Sequence, residues 1–247
     1  MKVDSMNKLA HEFRVPVVAF RAALERLQYE CRANRYTFQF DHFEELWTYC
    51  DVMKRLLLEL DAVRKGIQSM PLVPKKTHFF TQIIPPAVRF VKPLLQKKKL
   101  KASNIKYQEE LHKTPELYVD PGMMTQVIFN LLENSIKYSA CPDDFKIKID
   151  WNDTDSSFEI IFRDYGIGVP EGWEEKIFES GTRGPNAHKY DVAGEGFGLW
   201  FAREIILRHG GNLILRKHKN PTTFVIILPN SLRNAPPQHS QITEQIL

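Results

Sequence analysis

The sequence lacks the features that mark several common classes of protein. No G-x-x-x-x-G-K-[ST] string occurs in its 247 residues, which excludes a P-loop nucleotide site. Its three cysteines, Cys31, Cys50 and Cys141, are odd in number and lack the spacing of a metal site, so we expect free thiols in a reducing compartment. No stretch approaches the ~18 apolar residues that span a bilayer, and no signal peptide opens the chain. These absences favour a cytoplasmic protein.

The excess of positive charge is small. A formal net charge of +4 is too weak to indicate nucleic acid as a partner, and Lys97 to Lys99 with Lys101 resemble a solvated helix end. Hydrophobic residues make up 43% and charged residues 26%, so the chain can bury a core of one large or two small domains. A histidine-containing string, residues 11–16, lies close to the first residue. We therefore expect the catalytic end of a longer protein, whose missing N-terminal region would supply any membrane attachment.

Apolar residues in the first quarter of the chain follow steps of three and four, which predicts helices packed in a bundle. They are Leu9, Phe13, Val17, Phe20, Leu24 and Leu27 in the first run, and Leu46, Tyr49, Met53, Leu56, Leu60, Val63 and Ile67 in the second. We predict an antiparallel helical hairpin over 1–68 that dimerises into a four-helix bundle. His11 and Glu12 lie off the apolar stripe; without the histidine, a plain coiled-coil dimeriser would be favoured.

A linker at 69–76, which contains two prolines, separates the hairpin from a region with a different pattern. Over 77–230 the periodicities predict an α/β sandwich in which a mixed sheet packs on helices, so the whole chain is of the α+β class. Helices are predicted at 86–99, 121–138 and 195–209, and strands at 105–109, 146–151, 157–162, 213–217 and 223–228. Asp120 is the expected N-cap of the second helix. The residues expected on the buried face of this helix are Met124, Val127, Ile128, Leu131 and Leu132. The polar tail 231–247 is predicted to be disordered.

The helix that follows Asp120 carries a polar face of unusual composition. Asn130, Asn134 and Lys137 are spaced at i, i+4 and i+7 and share this face. Amide oxygens can hold a hydrated Mg²⁺, and a lysine one turn further can neutralise phosphate oxygens. The alternative is a polar, solvent-exposed helix edge.

Two glycine-rich strings complete the pattern. Asp164 follows an apolar run and precedes Gly166 and Gly168, so its carboxylate could accept the exocyclic amine of adenine while the glycines allow a close approach to the base. The second string, which runs into a helix whose N–H groups could face phosphates, is Gly194, Gly196, Gly198 and Leu199. The aperiodic stretch 180–193 is predicted to be a mobile lid. Each string alone is explained as readily by a simple turn.

In this order the strings resemble the conserved core of bacterial sensor histidine kinases over residues 7–229. Residues 11–16 are similar to the H box of that family, 130–137 to its N box and 164–168 to its first glycine box. Phe178 is similar to its F box, and 194–199 to its second glycine box. The resemblance implies a homodimer, a two-component system, and the ATP-binding fold shared with DNA gyrase and the related heat-shock chaperones.

The resemblance also implies roles for individual residues. His11 would attack the γ-phosphate of ATP and become phosphohistidine, with Glu12 orienting the imidazole. Asn134 together with Asn130 would hold Mg²⁺. The remaining nucleotide-binding residues implied are Lys137 at the phosphates, Tyr138 and Ile167 near the adenine, Asp164 at its amine, the lid arginine Arg183, and the glycines and leucine of the two glycine boxes. The phosphoryl group would then pass to an aspartate of a response regulator.

Three positions depart from the family pattern. Val15 stands where the family has Thr or Asn to position a hydrolytic water, so we expect little phosphatase activity toward the regulator. Gly181 replaces a second phenylalanine of the F box, which predicts a looser lid, and Glu195 places a carboxylate near the phosphates. Two alternatives stay open: a catalytically weak ATP-binding dimeric scaffold, and a gyrase-class ATPase or serine kinase of the same fold in which His11 is structural.

Overall fold

The structure, a computed structural model, describes residues 17–27, 29, 40–110, 113–139, 144–187 and 196–235. His11, Glu12, Val15, Gly194 and Glu195 lie outside these residues, and the predictions made for them are not addressed by the fold. None of the described helices combines the length and the apolar character that crossing a bilayer requires.

Two helices lie in the segment predicted to form the hairpin. Helix α1 covers 17–27 and helix α2 covers Phe40–Lys65. Some of their large apolar side chains remain exposed, including Val18 at 59% and Leu57 at 53%, whereas Leu56 and Ala62 are buried. Exposed apolar side chains on both helices are typical of a surface that packs against another helix.

Beyond α2 the chain alternates between strands and helices. In chain order the elements are β1 (Lys75–His78), α3 (Ile84–Phe90), α4 (Lys92–Lys97), β2 (Ile105–Tyr107), β3 (Glu116–Val119), α5 (Pro121–Lys137), β4 (Ile147–Asp153), β5 (Ser157–Asp164), α6 (Gly198–Arg208), β6 (Asn212–Lys217) and β7 (Thr222–Pro229). Five strands form one sheet in the order β2-β4-β5-β7-β6. Strands β2 and β4 are parallel and the other neighbours antiparallel, which confirms the predicted α+β class with a mixed sheet.

The sandwich core lies between this sheet and helices α5 and α6. Strand β5 alternates between buried and half-buried positions, which places one set of its side chains against the helices. The residues predicted for the buried face of α5 are all 1% exposed or less: Met124, Val127, Ile128, Leu131 and Leu132. Each such burial contributes roughly 1.5–3 kcal/mol, so this face determines how α5 is rotated and which residues it turns away from the sheet.

Strands β1 and β3 are not predicted from the sequence. Strands β1 and β3 pair antiparallel, with Lys75 opposite Val119, and form a separate small sheet. Strand β1 has the sequence KKTH, in which only Thr77 is buried, so it carries no hydrophobic alternation. Its first two residues lie in the predicted linker. This strand forms by pairing with a segment about forty residues away and not from a local sequence pattern.

Two boundaries also differ from prediction. The helix predicted at 86–99 is two helices, because Pro93 near the start of α4 has no N–H to continue the ladder of α3. At the other end of the domain, a 3-10 turn over Asn230–Arg233 extends past the predicted boundary at 230. Arg233 forms an ion pair with Asp153 there, which attaches this turn to β4.

Candidate nucleotide-binding site

Helix α5 begins as predicted. Asp120 is its N-cap, and Oδ1 of Asp120 accepts a hydrogen bond from the Met123 N–H at 3.0 Å. Pro121 occupies the first helical position, where no N–H is needed. The helix then runs beneath the sheet, so its C-terminal half presents the polar residues of the N box beside the end of β5.

The first asparagine of the N box is part of the protein interior. Asn130 is 0% exposed, its Oδ1 accepts from Gln126 Nε2 at 2.9 Å, and its Nδ2 donates to the Gly198 carbonyl at 2.9 Å. It therefore joins α5 to the first turn of α6. The amide is enclosed and bonded at both ends in this structure, and the role of Asn130 in binding metal stays a prediction.

The second asparagine lies one turn further and is half-buried. Within the described part of the chain the Asn134 side-chain amide makes no hydrogen bond. On the next turn Lys137 Nζ lies 3.2 Å from Glu133 Oε2, and Lys98 Nζ donates to the Lys137 carbonyl at 2.6 Å. The amide and the ammonium group of the predicted pair thus lie on one side of the helix end.

Strand β5 ends in the carboxylate of the first glycine box. Asp164 is 8% exposed, and its Oδ1 accepts from the Gly166 N–H at 2.9 Å. Burial raises the pKa of Asp164 to about 6, while the hydrogen bond from Gly166 opposes that shift. A buried carboxylate beside a glycine turn is suited to accept a hydrogen bond from a ligand.

Sequence reasoning missed one residue beside this carboxylate. Thr222 is the partner of Asp164 in the β5–β7 register and is 2% exposed, and its hydroxyl lies close enough to the Asp164 carboxylate to lower the pKa of that carboxyl. The predicted strand began one residue later. Only the register of two strands that lie far apart in the sequence places this hydroxyl next to Asp164, so no local signal could have identified it.

The first glycine box packs directly on the end of α5. A Cβ on Gly166 would lie 2.6 Å from the Tyr138 carbonyl oxygen, and that carbonyl accepts from the Ile167 N–H at 3.1 Å. Glycine is required here because the two backbones touch. Tyr138, Ile167 and Asp164, which were predicted to surround the adenine, are thereby brought together.

The second glycine box packs on the start of the predicted lid. Gly196 has φ +79°, and a Cβ there would lie 2.5 Å from the Thr182 carbonyl oxygen. Gly181 also has φ +74°, so a phenylalanine at that position would be strained. This explains the departure from the family pattern at Gly181. The lid is further attached by Asn186, whose Nδ2 donates to the Gly168 carbonyl at 2.8 Å.

Phe178, the F-box residue, anchors the chain just before the predicted lid segment. Phe178 is buried and meets Phe224 edge to face, with ring centroids 6.3 Å apart. The Arg203 guanidinium lies 4.8 Å from the Phe178 ring and pairs with Glu175 at 2.6 Å. Arg183 is half-buried within the lid segment that follows.

The remaining predicted residues lie at the start of α6. Gly198 is the first residue of α6, and Leu199 beside it packs against the core. No group of three or more His, Cys, Asp or Glu in the described ranges could hold a metal ion. A single asparagine amide beside a phosphate site suits Mg²⁺ that arrives with a nucleotide, since Mg²⁺ keeps its waters and takes few protein ligands.

Comparison with known proteins agrees with this arrangement. Residues 119–232 match the family described as histidine kinase-, DNA gyrase B-, and HSP90-like ATPase, which supports ATP binding. Sensor protein RprX of Bacteroides fragilis strain YCH46 is 28% identical over 234 residues, covering 93% of this chain and 44% of RprX. Sensor histidine kinase WalK of Bacillus subtilis strain 168 is 26% identical over 221 residues, covering 85% of this chain and 33% of WalK. The chain thus spans less than half the length of these two relatives.

A solved structure shares the fold. Histidine kinase ThkA, in complex with response regulator protein TrrA, has a TM-score of 0.54 and 18% identity to this chain. The match covers 93% of this chain and 62% of the ThkA chain. At this level of identity the likeness concerns the fold alone.

Proposed function

We propose that this chain, which belongs with the two-component sensor histidine kinases, uses ATP to phosphorylate His11 and passes the phosphoryl group to an aspartate of a response regulator. The observation that supports this best is the convergence at one end of α5. There the half-buried Asn134 lies one turn from Tyr138, whose carbonyl contacts the glycine box that follows the buried Asp164 carboxylate. The second glycine box contacts the same helix, because the Gly198 carbonyl accepts from Asn130. An ATP site of this construction needs an acceptor, and His11 lies in the H-box pattern.

The base would be bound at the end of β5. Asp164 accepts the exocyclic amine of adenine, and at pH 7–8 its carboxyl is ionised because its raised pKa is still only about 6. The buried Thr222 hydroxyl beside it supplies a second polar contact to the base or to a bridging water. Tyr138 and Ile167, whose backbones are joined by a hydrogen bond, enclose the ring.

The phosphates would lie between α5 and α6. The Asn134 amide oxygen is the proposed protein ligand of Mg²⁺, and Lys137 and Arg183 neutralise phosphate oxygens. The first N–H groups of α6, which begins at Gly198, would donate to the same oxygens. When bound, Mg²⁺ neutralises charge on the transferring phosphoryl group. In this type of transfer the protein contributes positioning and charge neutralisation.

The assignment of the residue that accepts the phosphoryl group is based on the sequence alone. His11 is the proposed nucleophile and Glu12 the group that orients it. The exposed apolar side chains of α1 and α2 support a homodimer through the 1–68 hairpin. The domain division at 69–76, the cytoplasmic location and the weak phosphatase activity expected from Val15 stay predictions.

Labelling with γ-labelled ATP and Mg²⁺ tests the function. Phosphohistidine is stable in alkali and labile in acid, phosphoserine behaves in the opposite way, and a scaffold takes no label, so one assay separates the three readings. We expect acid-labile label on the wild type. His11→Gln should remove it while ATP binding and dimerisation persist. Acid-labile label on His11→Gln would show that another residue is the acceptor.

A further inference from the structure

The segment between α2 and β1 is attached to the nucleotide-binding unit by two directional bonds. The Val73 N–H donates to Asp120 Oδ2 at 3.0 Å, and Arg208 Nη2 donates to the Met70 carbonyl at 2.5 Å. Both partners lie at helix ends, with Asp120 at the start of α5 and Arg208 at the end of α6. Residues 70–73, which the sequence suggested as linker, are therefore held by the domain that follows them.

Asp120 makes more bonds than its role as N-cap requires. Its Oδ1 alone caps the helix by accepting from Met123, while its Oδ2 accepts from Val73. Its own N–H donates to His209 Nε2 at 3.0 Å, and that imidazole is adjacent in the chain to Arg208. The two linker bonds thus share one small cluster at the ends of α5 and α6.

A single glycine, Gly66, joins the end of α2 to the segment that the nucleotide-binding unit holds. Ile67 and Met70 are buried in the core of the nucleotide-binding unit. Before them Gly66 has φ +86°, and no atom lies within 4 Å of a Cβ placed there. Leu58 and Ala62 of α2 contact the same core, but apolar contacts are not directional. The Gly66 N–H donates to the Ala62 carbonyl at 3.0 Å and the Gly66 carbonyl accepts from the Ser69 N–H at 3.1 Å, both local bonds. The hydrogen bonds to α5 and α6 begin only after Gly66, at Met70 and Val73, so we take Gly66 as the pivot.

We propose that Asp120 and Arg208 are positioning residues for phosphoryl transfer to His11, an assignment that rests on the function proposed above. By holding residues 70–73, they keep the pivot at Gly66 and limit the volume that the bound ATP explores relative to the hairpin. Releasing the segment adds several freely rotating residues to the tether. A longer flexible tether lowers the effective concentration of one attached group at the other, and phosphoryl transfer depends on that encounter.

The same geometry separates this effect from nucleotide binding. Asp120 is at one end of α5 and Lys137 at the other, and a 17-residue helix is roughly 25 Å long. A change confined to the linker bonds should therefore leave the affinity for ATP unaltered. A loss of transfer rate without a loss of affinity is the signature of a positioning role.

Two variants remove the bonds without removing the helix cap. Asp120→Asn keeps a good N-cap oxygen for Met123 but offers Val73 an NH₂ group, which cannot accept. Arg208→Gln shortens the donor to Met70, and Arg208→Lys restores a cation that can reach it. Arg64→Gln is the matched control, because it removes an arginine that pairs with Asp61 inside α2. Melting temperatures verify that each protein is folded.

Three quantities are measured on each protein: ATP affinity, the rate of acid-labile labelling at saturating ATP, and hydrogen exchange of the peptide 67–76. For Asp120→Asn and Arg208→Gln we expect faster exchange, labelling slowed roughly three- to tenfold, and ATP affinity within about twofold of wild type. Arg208→Lys should recover most of the rate, and Arg64→Gln should match wild type in all three.

Some results would overturn the proposal. Unchanged exchange in both variants would mean that the two bonds do not hold the linker in solution. Faster exchange with an unchanged or increased labelling rate would mean that the linker does not position the transfer. If the wild type takes no acid-labile label, the proposed function fails and this proposal with it, whereas a labelled wild type with unaffected variants overturns this proposal alone.

Discussion

The two ends of helix α5 differ in what their polar groups do. At the N-terminal end, Asp120 bonds to Met123, Val73 and His209, so protein groups satisfy its carboxylate and its N–H. Near the C-terminal end, the Asn134 amide makes no hydrogen bond within the described chain, and burial raises the pKa of Asp164 nearby. Protein groups therefore satisfy the polar atoms at the first end, whereas at the second end the Asn134 amide has no bond to described residues, and we propose that a ligand occupies it.

Asn130 lies between these two ends of α5, and its polar groups are bonded to protein like those of Asp120. It belongs to the same motif as Asn134 and is the same type of residue, yet its amide is bonded at both ends. Residues at i and i+4 usually share a face of a helix. Here the start of α6 covers the Asn130 side chain and leaves the Asn134 side chain half-buried. Similar residues one turn apart can therefore have different roles, and substitutions should separate them.

The largest expected effect is at the open end. Asn134→Ala removes the proposed Mg²⁺ ligand, so we expect Mg²⁺-dependent phosphorylation to fall by roughly two to three orders of magnitude. Because Asn134 is half-buried and makes no bond to described residues, the free energy of unfolding should change by less than about 0.5 kcal/mol. Initial rates of labelling and urea unfolding measure the two quantities. Retained activity would mean that a residue other than Asn134 binds Mg²⁺.

Asn130→Ala should lower the free energy of unfolding more than Asn134→Ala does. The substitution leaves the Gly198 carbonyl and the Gln126 amide without this partner in a buried site, which costs about 2–4 kcal/mol of unfolding free energy. Urea unfolding of Asn130→Ala beside Asn134→Ala measures the difference. If Asn130→Ala is as stable as wild type but does not respond to Mg²⁺, Asn130 is a metal ligand after all and the contrast between the two asparagines disappears.

Asp164→Asn should weaken binding while stabilising the empty protein. The amide can present an NH₂ group where the adenine amine needs an acceptor, so ATP affinity should fall by about 1–3 kcal/mol. A carboxyl with a pKa of about 6 when folded and 3.8 when unfolded destabilises the fold as pH rises through this window, and the cost is complete above pH 6. The asparagine variant avoids that cost, so at pH 8 its unfolding free energy should be higher by roughly 3 kcal/mol.

Titration calorimetry and urea unfolding at pH 8 and pH 5 measure both effects. The stability advantage of Asp164→Asn should shrink at pH 5, where the wild-type carboxyl is protonated in the folded state. An advantage that does not depend on pH would contradict the buried-carboxylate explanation.

The smallest expected effect is at the N-terminal end. His209 Nδ1–H donates to the Ile205 carbonyl at 2.8 Å and its Nε2 accepts from Asp120, so the ring is neutral, and burial lowers the pKa of His209. An imidazole with a lowered pKa stabilises the fold above pH 6.5, and this contribution is lost as pH falls further, because the unfolded chain takes the proton first. We therefore expect the free energy of unfolding to decrease as the pH falls below 6.5.

His209→Gln tests this by removing the titration. The slope of stability against pH between 7 and 5 should be smaller in the variant than in wild type. The Asp164 carboxyl contributes with the opposite sign over the same range, so the comparison is made in the Asp164→Asn background. Identical slopes would mean that the bond between His209 and the start of α5 does not persist in solution.

Much of the site could be predicted from the sequence. The cap at Asp120 and the buried face of α5 have local patterns, and both are confirmed. The two glycine boxes were identified by their order, and contacts such as that of Gly166 with Tyr138 show why glycine is needed. By contrast, β1 has no hydrophobic alternation and forms because it pairs with β3.

The sequence by itself determined which groups are available and in what order they follow: the amides of the N box, a carboxylate before two glycines, and the histidine of the H box. Local patterns carry this information because helical spacing and turn chemistry act over a few residues. Only the tertiary structure decided that Asn130 is enclosed while Asn134 is open, that Thr222 lies beside Asp164, and that residues 70–73 are held by Asp120 and Arg208. Each of these depends on a contact between distant segments, and burial and register are properties of such contacts rather than of either segment alone.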